Sequence, residues 1–199
     1  MRTIVVIPAY NEEKTLGAVF NGVVPLANEI AVVNDGSTDS TETIARNHSG
    51  CVVLTHFINR GLGAAIRTGF EYAQNSGADF VITFDADGQH NPNDIPRLQE
   101  MLMQGLDVVI GSRMKGERGM PLHRRIANYI GNLVTQGGAV TTDSQSGLRA
   151  FRVSALKQFQ LFGDRMEISS EIISEIARLK LRYGEISIAP VYTPYSLSK

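Results

Sequence analysis

The chain has 199 residues, long enough for one domain that buries a core of its own. With 19 Lys and Arg against 20 Asp and Glu, its net charge of -1 gives no overall attraction to nucleic acid or to an anionic membrane, so any such partner has to be held by a local patch. The single cysteine, Cys51, excludes an internal disulfide, and a signal peptide, Cys/His metal spacing and an apolar run of about 18 residues are all missing; the expectation is a soluble, cytoplasmic protein.

The first apolar, β-branched run is TIVVIPA (3–9), and it is followed by Leu16, Val19, Phe20 and Val23 at helical spacing. EIAVVN (29–34) and CVVLTHF (51–57) are further strand candidates, and Ala65, Ile66, Gly69, Phe70 and Ala73 form a second helical stripe. DFVITFD (79–85) precedes a third stripe of Ile95, Leu98 and Leu102, and DVVIG (107–111) follows it. These runs lack the alternation of a half-exposed strand, as strands covered on both faces do. Strand and helix in alternation predict crossover units around a mainly parallel sheet.

Past residue 112 the rhythm breaks into the basic stretch SRMKGERGMPLHRR, and a helix is expected over 122–137. A last helix carries Ile168, Ile172, Ile176, Leu179 and Tyr183 on one face, and EISIAPVY predicts a final strand. Without an internal repeat or linker, residues 1–199 are expected to form a single domain. The chain ends abruptly at YSLSK, which leaves room for a tail beyond Lys199.

Ligands of open α/β sheets gather beyond the carboxyl ends of the strands. Here those ends read PAYNEE, NDGSTDS, INRGLG and DADGQH, while GxGxxG after the first strand and a P-loop are both absent. If strand geometry persists, Asp85, Asp87 and Gln89 face one side with a spacing of about 6.6 Å. Two carboxylates at that separation repel by roughly 2 kcal/mol at an effective dielectric of 20. A divalent cation reverses the sign, and Mg²⁺ or Mn²⁺ is usually held by one or two carboxylates plus substrate phosphates. The plainer alternative is a turn-capping Asp85 and a solvated Asp87. NDGSTDST and NRGLGAA, taken alone, read as an ordinary turn and a glycine-eased helix start.

In combination the segments are specific. IPAYNEE, VVNDGSTDST, NRGLGAAIRTGF, FDADGQH, GSR and DSQSGLRAF occur in the order and approximate spacing of glycosyltransferase family 2, and the set resembles the dolichol-phosphate mannose synthase group over about residues 3–195. The resemblance implies a GT-A fold, an α/β nucleotide-sugar-binding architecture with a mainly parallel central sheet flanked by helices. Its DxD motif holds a divalent metal, Mg²⁺ or Mn²⁺, against the donor pyrophosphate. Pro8, Tyr10, Glu12 and Asp35 match family positions around base and ribose. Asp85 matches the first acid of the DxD, near ribose and metal, with Asp87 and Gln89 as metal ligands and Asp87 central to the mechanism. Arg113 matches a position near the reacting phosphates; Asp143, Gln145, Ser146 and Gly147 match the acceptor-side loop; Arg124 matches a phosphate-binding arginine on a membrane-facing helix. Two departures stand out: Asn34 where the family often has an acid, and a final VYTPYSLSK without arginine.

The expected activity is inverting transfer of a hexose from a nucleotide diphosphate sugar of the GDP-mannose or UDP-glucose type to a polyprenyl (dolichyl or undecaprenyl) phosphate, with peripheral contact at the cytoplasmic face of a membrane. A phosphate acceptor, with a second pKa of about 6, is already anionic and needs positioning more than deprotonation. The basic stretch offers Arg113, Lys115, Arg118, Arg124 and Arg125 for that, or forms a solvated loop. A hydroxyl acceptor needs a general base, for which Asp143 is the candidate. Two rivals stay open: a family 2 enzyme with a soluble sugar or glycan acceptor, and a non-catalytic nucleotide-binding module.

Overall fold

The computed structural model describes residues 1–114 and 141–191. The expected helix over 122–137, with Arg124 and Arg125, lies outside those residues, as do Lys115, Arg118 and the segment 192–199. Seven described strands form one sheet: β1 Thr3–Ala9, β2 Glu29–Asn34, β3 Cys51–Thr55, β4 Phe80–Thr83, β5 Val108–Ser112, β6 Arg149–Arg152 and β7 Tyr183–Ser187. Their order is β3-β2-β1-β4-β6-β5-β7. Every pairing is parallel except those of β6, which runs antiparallel to both β4 and β5. The helices are α1 Leu16–Val23, α2 Thr41–Asn47, α3 Leu62–Asn75, α4 Asp94–Met103, α5 Val153–Leu156 and α6 Ile168–Arg178.

The unbroken apolar runs follow from two cores, one on each face of the sheet. Val5 and Ile7 of β1 point into a core with Leu16, Phe20 and Val23 of α1 and Ile95, Leu98 and Leu102 of α4. Ile4 and Val6, one residue out of phase, point into the other with Ala65, Ile66 and Phe70 of α3 and Ile168, Ile172 and Ile176 of α6. Both sets of alternate side chains are buried, so the strands read as nearly continuous apolar runs. Each fully buried aliphatic side chain contributes about 1.5–3 kcal/mol of transfer free energy.

Several boundaries differ from the sequence expectation. β3 stops at Thr55, and Phe57 and Ile58 swing into solvent. The last helix ends at Arg178, where Lys180 takes φ 51° to turn the chain; Tyr183 begins β7 instead of extending α6. Its apolar face seemed longer because Leu181 and Tyr183 pack on the same core after the turn. β6 was not anticipated as a strand at all.

α3 lies flush on β1 at Gly69, where an added Cβ would overlap the Val6 side chain. Helix propensity alone predicts that Gly69→Ala gains about 1 kcal/mol. Overpacking costs about 1–3 kcal/mol. A net loss of stability in urea denaturation is therefore expected, and a gain would mean that α3 stands further from the sheet.

Candidate active site

β1, β2 and β4 end at one edge of the sheet, and the segments that follow them enclose an open cleft of about 360 Å³. The loop after β1 is fixed to the loop after β2. Asn11 N–H donates to Ser37 Oγ (3.0 Å), Glu12 N–H to Thr41 Oγ1 (2.8 Å), and Thr38 N–H to Asn11 Oδ1 (2.9 Å). Asn34 explains its own departure from an acid: its Nδ2 donates to Glu42 (3.1 Å) while its Oδ1 accepts from Ser37 N–H (3.1 Å). An aspartate could make only the second bond.

Asp35, 3% exposed, draws the loop after β3 to the end of β2. Its oxygens accept from Arg60 N–H (2.9 Å) and Gly61 N–H (2.8 Å), and His56 Nδ1 lies 2.7 Å from Oδ1. Thr68 Oγ1, 2.9 Å from His56 Nε2, fixes the ring from its other side. Gly61 has φ +102°, and a Cβ there would run into the Asp164 carbonyl 2.5 Å away, so the loop closes this tightly only with glycine.

β4 ends at Thr83, and the chain turns at Ala86 and Asp87 with Gly88 at φ +75°. The pleat therefore does not continue through Gln89. Asp85 and Asp87 still line the same cleft, but it is the turn that brings them there. Gln89 is not among the residues lining it; its N–H donates to Asp87 Oδ1 (2.9 Å) and its carbonyl accepts from Val191 N–H (2.9 Å). Of the expected trio, Asp85 and Asp87 line the cleft and Gln89 adjoins it through its backbone. His90, 6% exposed, adjoins the two acids, with Nε2 2.9 Å from Asp85 Oδ2 and its ring edge-on to Phe84.

The two carboxylates have opposite electrostatics. Burial works to raise the Asp85 pKa, but the His90 hydrogen bond and the positive charges of His90, Arg113 and Arg149 outweigh it, and the net shift is downward. Asp87 is pushed up, first by burial and then by the charge of Asp85, with Glu12 adding to the rise. Among the described residues no group of three or more His, Cys, Asp or Glu side chains is arranged to hold a metal ion by itself. Two carboxylates on an open cleft, one of them destabilised by the other, nevertheless fit Mg²⁺ or Mn²⁺, which takes the rest of its shell from water and phosphate oxygens.

Pro8, Tyr10, Glu12, Asp35, Asp85 and Asp87 thus line one cleft. Gln145 and Ser146 line a smaller recess that shares Pro8, Leu62 and Asp85 with it. Thr83 Oγ1 donates to the Gly147 carbonyl (2.7 Å), and Gly147 lies so close to Asp85 that a Cβ would overlap the carboxylate. Arg113 and Asp143 lie outside the lining of both and are paired with each other. Asp143 is fully buried and accepts from Arg113 N–H (3.1 Å), Nε (2.8 Å) and Nη2 (2.9 Å). The 141–142 segment is tied to β7, where Thr142 N–H and the Thr141 hydroxyl both donate to Glu185 Oε1 (2.7 and 2.6 Å). Sequence reasoning passed over His56, His90 and Arg149. His90 adjoins the DxD in FDADGQH and Arg149 closes DSQSGLR, so position was the available signal.

A cleft at the carboxyl ends of β1, β2 and β4, with two acids on its floor, belongs to the GT-A architecture. The glucosyl-3-phosphoglycerate synthase of Mycobacterium tuberculosis, solved with Mn²⁺ and UDP-glucose, superposes with a TM-score of 0.71 at 24% identity, over 97% of this chain and 72% of that one. In sequence, residues 4–159 match the family described as glycosyl transferase family 2. A UDP-N-acetylglucosamine–dolichyl-phosphate N-acetylglucosaminyltransferase of Methanococcus voltae is 38% identical over 98% of this chain and 87% of its own length. An undecaprenyl-phosphate mannosyltransferase of Micrococcus luteus is 32% identical over 100% of this chain and 87% of its own. The chain belongs to glycosyltransferase family 2.

The raised pKa of Asp87 makes its cost to stability depend on pH. The folded chain holds this proton more readily than the unfolded one, so the cost of ionising Asp87 is absent in acid and builds up as pH rises through its folded pKa. Asp87→Asn keeps an acceptor for the Gln89 N–H. It is expected to raise the melting temperature of the metal-free protein at pH 7, with the difference from wild type vanishing below about pH 3.8, the ordinary value for Asp. An unchanged or lower melting temperature at pH 7 would contradict the repulsion.

Proposed function

We propose that the chain transfers a hexosyl group from a nucleotide diphosphate sugar to a polyprenyl phosphate, with inversion at the anomeric carbon. The observation that carries this reading is the placement of Asp85 and Asp87 on the floor of a cleft whose other wall is Tyr10, Glu12 and Asp35. The kinship to transferases named for dolichyl and undecaprenyl phosphate supports the acceptor class.

Pro8 and Tyr10 offer surfaces for the base and ribose; Tyr10 is 44% exposed and free to stack. Asp35 shapes that end of the cleft through the Arg60 and Gly61 amides. Asp85 and Asp87 hold Mg²⁺ or Mn²⁺, with His90 orienting Asp85. A bound metal would supply Lewis-acid neutralisation of the leaving nucleotide diphosphate. Gln89 fixes Asp87 through its backbone N–H, and its side chain is assigned as the third protein ligand of the metal.

Arg113 is assigned to the phosphates, and Asp143 to holding Arg113. Fully buried and already accepting three N–H groups, Asp143 serves as an anchor in place of the general base that a hydroxyl acceptor would need. A phosphate acceptor attacks without one, its second pKa being about 6. Gln145 and Ser146 flank Asp85 on the acceptor side, and Arg124 is assigned to the acceptor phosphate. Among the described residues no helix is long and apolar enough to cross a membrane, and contact with the lipid surface is proposed to be peripheral.

The test is transfer of labelled sugar from UDP- and GDP-sugars to undecaprenyl phosphate in detergent micelles, with 3-phosphoglycerate as the soluble comparison. Wild type is expected to label the lipid, and Asp87→Ala to lose about 100-fold or more of the rate. Full activity in that variant would remove the metal assignment, and labelling of the soluble acceptor alone would replace the lipid.

A further inference from the structure

The cleft has an apolar rim outside the residues assigned so far. Phe57 and Ile58, in the loop after β3, are fully and 70% exposed, and Phe162, in the segment before α6, is 78% exposed. One exposed apolar side chain is ordinary on a protein surface, but several on adjoining loops mark an interaction site. None of the three lies in a segment that carries the family resemblance, so kinship does not account for them.

Both loops are anchored in a way that keeps these side chains out of the core. On the first, His56 N–H donates to the Asn34 carbonyl (2.9 Å) and the Arg60 and Gly61 amides donate to Asp35, so Phe57 and Ile58 lie between two fixed points. The backbone there is pressed onto the turn after β2, since a Cβ on Gly36 would meet the Ile58 carbonyl carbon 2.5 Å away. On the second, the Phe162 and Gly163 amides donate to Glu171 (2.9 Å each) and the Gln160 amide to Glu175 (2.7 Å). Exposure is therefore imposed by hydrogen-bonded backbone.

The two loops are also joined. Ala64 N–H donates to the Asp164 carbonyl (3.1 Å), Arg67 Nη1 donates to the Gly163 carbonyl (2.6 Å), and Arg67 pairs with Asp164. Arg165 runs beside the first loop, its Cγ 2.9 Å from where a Cβ on Gly61 would stand. The acids are largely committed, Asp164 to Arg67 and Glu171 to the loop amides. Arg60 and Arg165 are exposed, with the exposed Glu167 set against them, so the rim is apolar with a slight positive excess. Asn59 and Gly61 of the first loop line the cleft itself, and Met166, 56% exposed, lines the recess beside Asp85. The rim thus flanks the opening of the site.

We infer that Phe57, Ile58 and Phe162 form a lipid-contact surface that seats the cleft against the headgroups of a bilayer. The apolar side chains enter the boundary with the acyl chains, and Arg60 and Arg165 face anionic headgroups. A bilayer receives side chains that protrude from separate loops, whereas a protein partner needs a closely packed, shape-matched surface. The inference rests on the polyprenyl-phosphate reading and deepens it: the hydrocarbon of such an acceptor stays in the bilayer, so its phosphate is reached by a cleft held at the headgroups.

The chain contains no tryptophan, so Phe57→Trp and Phe162→Trp each introduce a single fluorophore. With vesicles of equal parts phosphatidylcholine and phosphatidylglycerol, both emissions are expected to shift to the blue and to be quenched by acyl-brominated lipid. Met103→Trp, beside Met1 and Thr3 at the opposite edge of the sheet, is expected to stay unquenched. The double variant Phe57→Ser/Phe162→Ser should bind the vesicles about tenfold or more weaker while its melting temperature and its binding of UDP or GDP stay as in wild type. Should it fail to fold, the tryptophan variants still decide. Unquenched tryptophans at 57 and 162, equal quenching at 103, or undiminished vesicle binding by the double variant would overturn the inference. A wild-type dimer in sedimentation that the serine substitutions dissociate would overturn it too, assigning the rim to a second copy of the chain. Transfer to undecaprenyl phosphate in micelles would leave the acceptor reading standing in each of those cases. Labelling of 3-phosphoglycerate alone would overturn the acceptor reading, and quenching would then decide the lipid surface by itself.

Discussion

Asp85 and Asp87 line one cleft, and the chain surrounds them with opposite electrostatics. Asp85 has His90 against one oxygen and the positive fields of Arg113 and Arg149 behind it, so its ionised form is favoured in spite of burial. Asp87 has the Gln89 amide and then mainly opposing influences: burial, Asp85 and Glu12. The asymmetry matters chemically, because the first acid is held in place and the second keeps a charge that the fold alone does not balance. A divalent ion with diphosphate oxygens in its shell would provide that balance.

The sheet brings this about through its topology. Parallel strands β1, β2, β3 and β4 deliver their loops to one edge, where Asn11 fastens the loop after β1 to the loop after β2, Asn34 braces the latter, and Asp35 ties it to the loop after β3. β6 then enters antiparallel between β4 and β5, so the loop preceding it returns to the same edge. This insertion lays Gly147 against the Asp85 carboxylate and places Arg149 under α3 and α6. The cleft and its side recess are therefore two products of one strand order.

Much of the fold was legible because its parallel strands are buried on both faces, which writes continuous β-branched runs such as TIVVIPA and EIAVVN into the sequence. β6 escaped because it is four residues long and two of them are arginine, a composition that suggests a surface loop. Those arginines are explained by contacts no pattern shows: Arg152 lies over the Phe80 ring, and Arg149 reaches the Ser144 carbonyl. At the site, the acids after β1, β2 and β4 were readable as strand-end residues. The alternation of Asp85, Asp87 and Gln89 was not a sound guide, since the strand stops two residues before Asp85. The commitment of Asp143 to Arg113, and of His56 to Asp35, depends on loops that meet only after folding.

A metal shared between Asp87 and a nucleotide diphosphate, as proposed above, would make the two ligands bind cooperatively and reciprocally. The most direct measurement is the affinity of Mn²⁺ with and without saturating UDP or GDP, in wild type and in Asp87→Asn. The diphosphate is expected to tighten Mn²⁺ binding about tenfold or more in wild type, and this coupling to be lost in the variant. Equal coupling in both proteins, or none in the wild type with either diphosphate, would contradict it.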